Sequence, residues 1–149
     1  MLTISGLHHV GIRAFDMDES RAFWCDVLGL EANPAKTNWL GVKGVDHQFI
    51  HLMPAQRVER PSAGSREDER DLANHVALDT GDLRVVVARL LDKGYRPFQS
   101  ELDASKRKDI TSADDPLDFG IGTVFVIDPA GNVVEFVQRD FGIFAKIKA

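Results

Sequence analysis

Thr123-Val124-Phe125-Val126-Ile127-Asp128-Pro129-Ala130-Gly131-Asn132-Val133-Val134-Glu135-Phe136-Val137-Gln138 is the stretch whose reading decides the fold. Two runs rich in Val, Ile and Phe flank five residues in which Pro129 and Gly131 suit turn geometry. The stretch therefore reads as a β-hairpin, Thr123 to Ile127 with Val133 to Gln138. One residue does not fit a plain strand. Glu135 is a carboxylate among aliphatics, and a titratable group there is costly unless something compensates it. Three other strand-like runs carry a titratable residue in the same way: His9-Val10-Gly11-Ile12, Phe49-Ile50-His51-Leu52 and His75-Val76-Ala77-Leu78. Three imidazoles and one carboxylate are a common ligand set for a divalent metal of intermediate softness. One such residue opens the first strand of each half, and another lies near the last. The pattern is that of a duplicated scaffold with a metal between its copies.

Reading outward, each half has the same order of elements. The first begins with an extended segment from about Leu7 to Arg13. Asp16 is placed as an N-cap, and Asp18 and Glu19 follow where the helix dipole favours acids. Phe23, Val27 and Leu28 recur at helical spacing, and Gly29 is a C′ residue. Extended pieces follow near Leu30 to Ala35, Asn38 to Lys43 and His47 to Met53, giving β-α-β-β-β. In the second half His75 to Leu78 is a strand, Asp82 caps a helix from about Leu83 to Lys93, and Gly94 closes it. Tyr95 to Phe98 begins a strand, and the hairpin completes the set. His75 follows His9 by 66 residues (75 − 9), and Asp82 follows Asp16 by the same 66 (82 − 16), as a repeated unit requires.

The expected organisation is a single domain over 1–149. Module one covers about 5–53, a linker about 54–74, module two about 75–139 and a C-terminal tail 140–149. The linker is rich in Pro, Ser, Gly and charge. Residues 99–122 read as irregular and long for a compact domain, either a lid or binding loop or a surface insertion. Two Asp-Phe-Gly triplets, at 118–120 and 140–142, lack every other kinase element and are read as chance.

Composition narrows the classes. With 149 residues, 44% of them hydrophobic, the chain can bury a core without staples. A net charge of −5 and no basic stripe beyond Lys106-Arg107-Lys108 argue against nucleic acid as a partner. The lone Cys25, beside Trp24 on the first helix, excludes an internal disulfide and reads as a small core residue. No signal-peptide pattern and no apolar run of membrane-spanning length occurs. The expectation is a soluble cytoplasmic protein with no membrane partner.

The chain resembles the vicinal oxygen chelate superfamily, which includes glyoxalase I, methylmalonyl-CoA epimerase, fosfomycin-resistance enzymes, extradiol dioxygenases and bleomycin-resistance proteins. The resembling residues are Leu7-His8-His9-Val10-Gly11-Ile12, Phe23-Trp24 with Val27-Leu28-Gly29-Leu30, Asn74-His75-Val76-Ala77-Leu78, Leu90-Leu91-Asp92-Lys93-Gly94-Tyr95, and Val126 through Phe136. The resemblance implies an α+β fold of two βαβββ modules forming a curved, open, barrel-like sheet around a metal cleft. It also implies a homodimer. By position, His9 and His75 match the first-strand ligands, Glu135 the last-strand carboxylate, and His51 a ligand that is commonly Glu in glyoxalase I enzymes. His8 is expected on the opposite strand face from His9, and His47 on the same face of the strand as His51 but too far along it to share an ion. The implied cofactor is one divalent metal ion: Ni, Co, Zn, Mn or Fe.

What the resemblance implies for function is a metal-dependent lyase or isomerase of the glyoxalase type, epimerases included. Its small-molecule substrate would bear vicinal oxygens, and Glu135 would be both ligand and general base. The alternatives are a small iron-dependent ring-cleaving dioxygenase and a non-catalytic resistance protein that holds ligands in the cleft. Arg13 matches a glyoxalase I residue that contacts a glutathione carboxylate. The companion Asn is absent, with Met53, Pro54 and Ala55 in its place, and Asp71 precedes His75 where a basic residue is usual. Arg13 is then a contact for another anion or an ordinary surface ion pair.

Overall fold

Contacts within the chain divide it into two compact units, Met1–Arg57 and Val58–Ala149. The computed structural model describes residues 5–56 and 72–146. Most of the expected linker, and the last three residues of the expected tail, lie outside the described residues.

In the first unit, β1 (Val10–Ala14) leads into α1 (Met17–Arg21). Asp16 caps α1 as expected, its carboxylate accepting from the amides of Asp18 and Glu19, each at 2.9 Å. The helix does not stay α-helical. Ala22–Val27 forms a π turn, with the Leu28 amide donating to the Phe23 carbonyl at 3.0 Å. The adjacent aromatics Phe23 and Trp24 are both fully buried there. Strands β2 (Glu31–Asn33), β3 (Lys36–Gly41) and β4 (Gln48–Pro54) complete a sheet in the order β1-β4-β3-β2, with β1 parallel to β4. Burial alternates along β1 and β4. Ile12, Ala14, Ile50 and Leu52 are buried, while Gly11, Arg13 and Met53 are exposed.

The second unit repeats this order and adds to it. It runs β5 (His75–Asp79), α2 (Leu83–Asp92), β6 (Phe98–Ser100), β7 (Arg107–Asp109), β8 (Val124–Ile127) and β9 (Val133–Val137). The sheet order is β5-β9-β8-β6-β7, with β5 parallel to β9. Removing β7 leaves the order of the first unit. Asp82 caps α2 through the Arg84 amide at 2.8 Å, and Leu83, Val87 and Leu90 form its buried stripe. Both helices end at a glycine with φ +80°, Gly29 and Gly94, a conformation that side chains with a Cβ avoid. The hairpin turn is held by the buried Asp128, whose carboxylate accepts from the amides of Ala130 and Asn132 and from Asn132 Nδ2.

The architecture is thus α+β with two open sheets, of four and five strands. One expectation needs correction. Residues 99–122 are not irregular throughout. Gln99 and Ser100 belong to β6, and β7 pairs antiparallel with it, so the second module has five strands rather than four. The rest of the stretch is tied down. The Asp115 carboxylate accepts from the amides of Thr111 and Ser112, and Arg84 Nη1 of α2 donates to the Ala113 carbonyl at 2.9 Å. The tail also contains a 3₁₀ turn, Gly142–Lys146.

Gln99 is fully buried and fully satisfied. Its Nε2 donates to the carbonyls of Leu117 (2.8 Å) and Thr123 (3.3 Å), and its Oε1 accepts from the Phe119 amide. Gln99→Leu would leave two carbonyls and one amide without these partners. It should lower stability by about 1–3 kcal/mol, seen in urea unfolding as a lower midpoint at unchanged slope.

Candidate metal half-sites

The parallel pairing of first and last strands fixes where the four candidate ligands stand. In the first unit Gly11 pairs with His51, and in the second Ala77 pairs with Glu135. Gly11 is two residues after His9, and Ala77 two residues after His75. Each unit therefore brings its own first-strand and last-strand candidates together at the same offset.

In the second unit this contact is direct. His75 Nε2 lies 3.0 Å from Glu135 Oε2. Its other ring nitrogen, Nδ1, is 2.5 Å from the Leu72 carbonyl. A carbonyl only accepts, so Nδ1 carries a proton, and Nε2 is the ring atom that faces the carboxylate. An imidazole nitrogen and a carboxylate oxygen at this distance share either a proton or a cation. The spacing suits a cation, because cis ligands at about 2.1 Å from an ion stand about 3.0 Å apart. Glu135 is 3% exposed at the centre of β9, so its charge has little water to compensate it.

In the first unit the rings of His9 and His51 have centroids 5.8 Å apart. His9 is exposed and stands just before β1, so it is not a strand residue. Strand alternation accordingly does not separate it from His8: their Nδ1 atoms are 2.8 Å apart. His47 likewise precedes β4, and its ring lies 5.8 Å from that of His8 rather than along the strand face of His51. Arg13 pairs with Met53 on β1 and is exposed on the face that carries Gly11, beside the position of His51.

Two aromatic neighbours were not foreseen. Trp39 of β3 pairs with His51, stacks on its ring at 4.1 Å and 12°, and meets the His9 ring edge-on at 4.7 Å. Phe125 of β8 pairs with Glu135, and its ring is 6.2 Å from His75. The first-strand His, last-strand ligand and penultimate-strand aromatic thus recur in both units. For Phe125 the signal lay in the hairpin turn, which sets the register. For Trp39 it was hidden by the register shift between Leu40 and Gly41. Among the described residues, no group of three or more His, Cys, Asp or Glu side chains is gathered for one ion.

Charge near these positions is balanced locally. The Arg139 guanidinium hydrogen-bonded to Asp79, two residues beyond Ala77 on β5, holds that carboxyl below its ordinary range. Desolvation by burial, then Asp26, pushes the Cys25 thiol up, which fits an inert side chain and not a nucleophile. No described helix is long and apolar enough to cross a membrane.

The sequence pattern of the Glyoxalase/Bleomycin resistance protein/Dioxygenase superfamily matches residues 6–136. The chain belongs to this superfamily. It is similar to the uncharacterized protein YaeR of Escherichia coli (strain K12), with 28% identity over 127 residues, covering 78% of this chain and 92% of YaeR. Among solved structures it is similar to the trypanothione-dependent glyoxalase I of Leishmania major, with a TM-score of 0.58 at 18% identity over 92% of this chain and 88% of that one. It is also similar to the oxidase ChaP-H2, with a TM-score of 0.60 at 18% identity, over 93% and 95% of the two chains. At such identities the structural likeness shows the fold alone. The superfamily includes enzymes and commonly uses a divalent metal.

The contact of Trp39 with both first-unit rings gives binding there an optical signal. Co²⁺ or Ni²⁺ held by His9 and His51 should quench Trp39 emission. Trp39→Phe should remove the quenchable part and leave the emission of the buried Trp24. Undiminished quenching in Trp39→Phe would place the ion elsewhere.

Proposed function

We propose that His9, His51, His75 and Glu135 serve one divalent ion, and that the protein is a metal-dependent lyase or isomerase of the glyoxalase type. The observation that carries this reading is the His75–Glu135 pair. A buried carboxylate faces an imidazole nitrogen at cis-ligand spacing, with the far nitrogen anchored on a backbone carbonyl. When bound, the ion supplies Lewis-acid stabilisation of the charge that develops on two adjacent oxygens of a small-molecule substrate.

The chain's own groups do the rest. Glu135 takes the proton from the carbon next to the carbonyl and returns it to the neighbouring position. Arg13, exposed on the face of His51, contacts an anionic part of the substrate. The protein acts as a cytoplasmic homodimer.

Removing the metal should lower stability, because an ion bound only by the native state adds about 2.7 kcal/mol at a hundredfold excess over Kd. For a chain of this size that is a fall in Tm of about 5–10 °C on chelation, restored by added metal. His75→Ala should weaken the response. An identical melt with and without metal would count against the site.

Glu135→Gln keeps shape and volume, so the fold should persist while proton transfer falls about 10²–10⁴-fold. The observable is exchange of a carbonyl-adjacent proton with deuterated water across hemithioacetals, acyl thioesters and keto-sugars. Exchange at full rate in Glu135→Gln would remove Glu135 as the base. Oxygen uptake with a catechol, and no exchange with any carbonyl compound, would favour an oxygenase.

A further inference from the structure

The two half-sites differ in what meets the ring of a candidate ligand. In the second unit His75 Nε2 faces Glu135, and in the first Asn38 of β3 reaches the His51 ring. Its Nδ2 lies 3.0 Å from His51 Nε2 and 3.3 Å from the Leu52 carbonyl oxygen. The second contact settles which way the amide points. With Oδ1 in that place, two acceptors would face each other, so the atom is the nitrogen and it donates to both. His51 Nε2 therefore accepts a hydrogen bond, and the ring proton sits on Nδ1. A neutral imidazole in this tautomer has no second lone pair to give.

We infer that Asn38 is a latch on His51: it occupies the nitrogen that would ligate, so His51 joins the ion only when the Asn38 amide withdraws. This rests on the metal reading above and adds an order to it, with His51 joining after the His75–Glu135 pair. The ring itself is poorly placed to turn away. Trp39 lies parallel to it at 4.1 Å and holds its plane, so exchange at Nε2 falls to the amide. Asn38 is a positioning residue in this account and touches no substrate.

The latch competes with the ion, so its removal should tighten binding. A single hydrogen bond of this kind contributes enough to hold back affinity about 2- to 10-fold. Asn38→Leu, and Asn38→Ala should the larger side chain disturb the sheet, are to be titrated with Zn²⁺ against a competing chelator. Long-range ¹⁵N–¹H correlations on the metal-free wild type at about pH 8, where an ordinary imidazole is neutral, read the tautomer directly. The expected results are a protonated Nδ1 and bare Nε2 on His51 in the wild type, a tautomer mixture in the variants, and Zn²⁺ affinity raised 2- to 10-fold. A proton on His51 Nε2 in the wild type overturns the latch. So does unchanged or weaker affinity in folded variants while the wild type binds Zn²⁺, and in both cases the metal reading stands. No Zn²⁺ binding by the wild type overturns the metal reading and the latch together.

Discussion

The parallel pairing of first strand with last in each unit is the constraint on which everything else depends. Sequence neighbours could not bring His75 to Glu135, which are separated by a helix and three strands. The β5–β9 ladder does so, and the β1–β4 ladder does the same for His9 and His51. A register slip of one residue on either ladder would turn the ligand to the opposite face, into the aliphatic core of Ile50 and Leu52 or of Val134 and Phe136. The apolar alternation that builds the core is thus the same force that aims the candidate ligands.

Within that frame the chemistry follows from what each ladder leaves uncompensated. Glu135 is buried beside His75 Nε2, a pair completed by a proton or a metal ion between the two atoms. On the first unit the compensation is internal, through Asn38 and the Trp39 face. Superfamily membership is consistent with a site of this kind but does not choose the reaction, since the fold is shared by a glyoxalase I and an oxidase.

Much of this was legible in the sequence. Both helix caps, Asp16 and Asp82, could be read from residue type and position, and so could the closing glycines and the hairpin around Asp128, because each is local chemistry. The duplication was visible in the 66-residue offset. What was not legible depended on contacts across strands. β7 was hidden because Arg107, Lys108 and Asp109 form an edge strand whose charges discourage further pairing and erase any apolar alternation. The π turn was hidden because backbone widening leaves no periodic mark in six residues. His8 and His47 were misplaced because strand alternation was extended past the ends of β1 and β4. Trp39 and Asn38 became visible only with the β3–β4 register, which shifts beside Leu40.

The measurement that tests the central claim most directly is X-ray absorption at the metal edge, with metal counted per chain, on protein loaded with Co²⁺ or Zn²⁺. The account predicts one ion per chain with three imidazoles and a carboxylate at about 2.0–2.3 Å, and one fewer imidazole in both His9→Ala and His75→Ala. Two ions per chain, each losing ligands in only one of those variants, would contradict it.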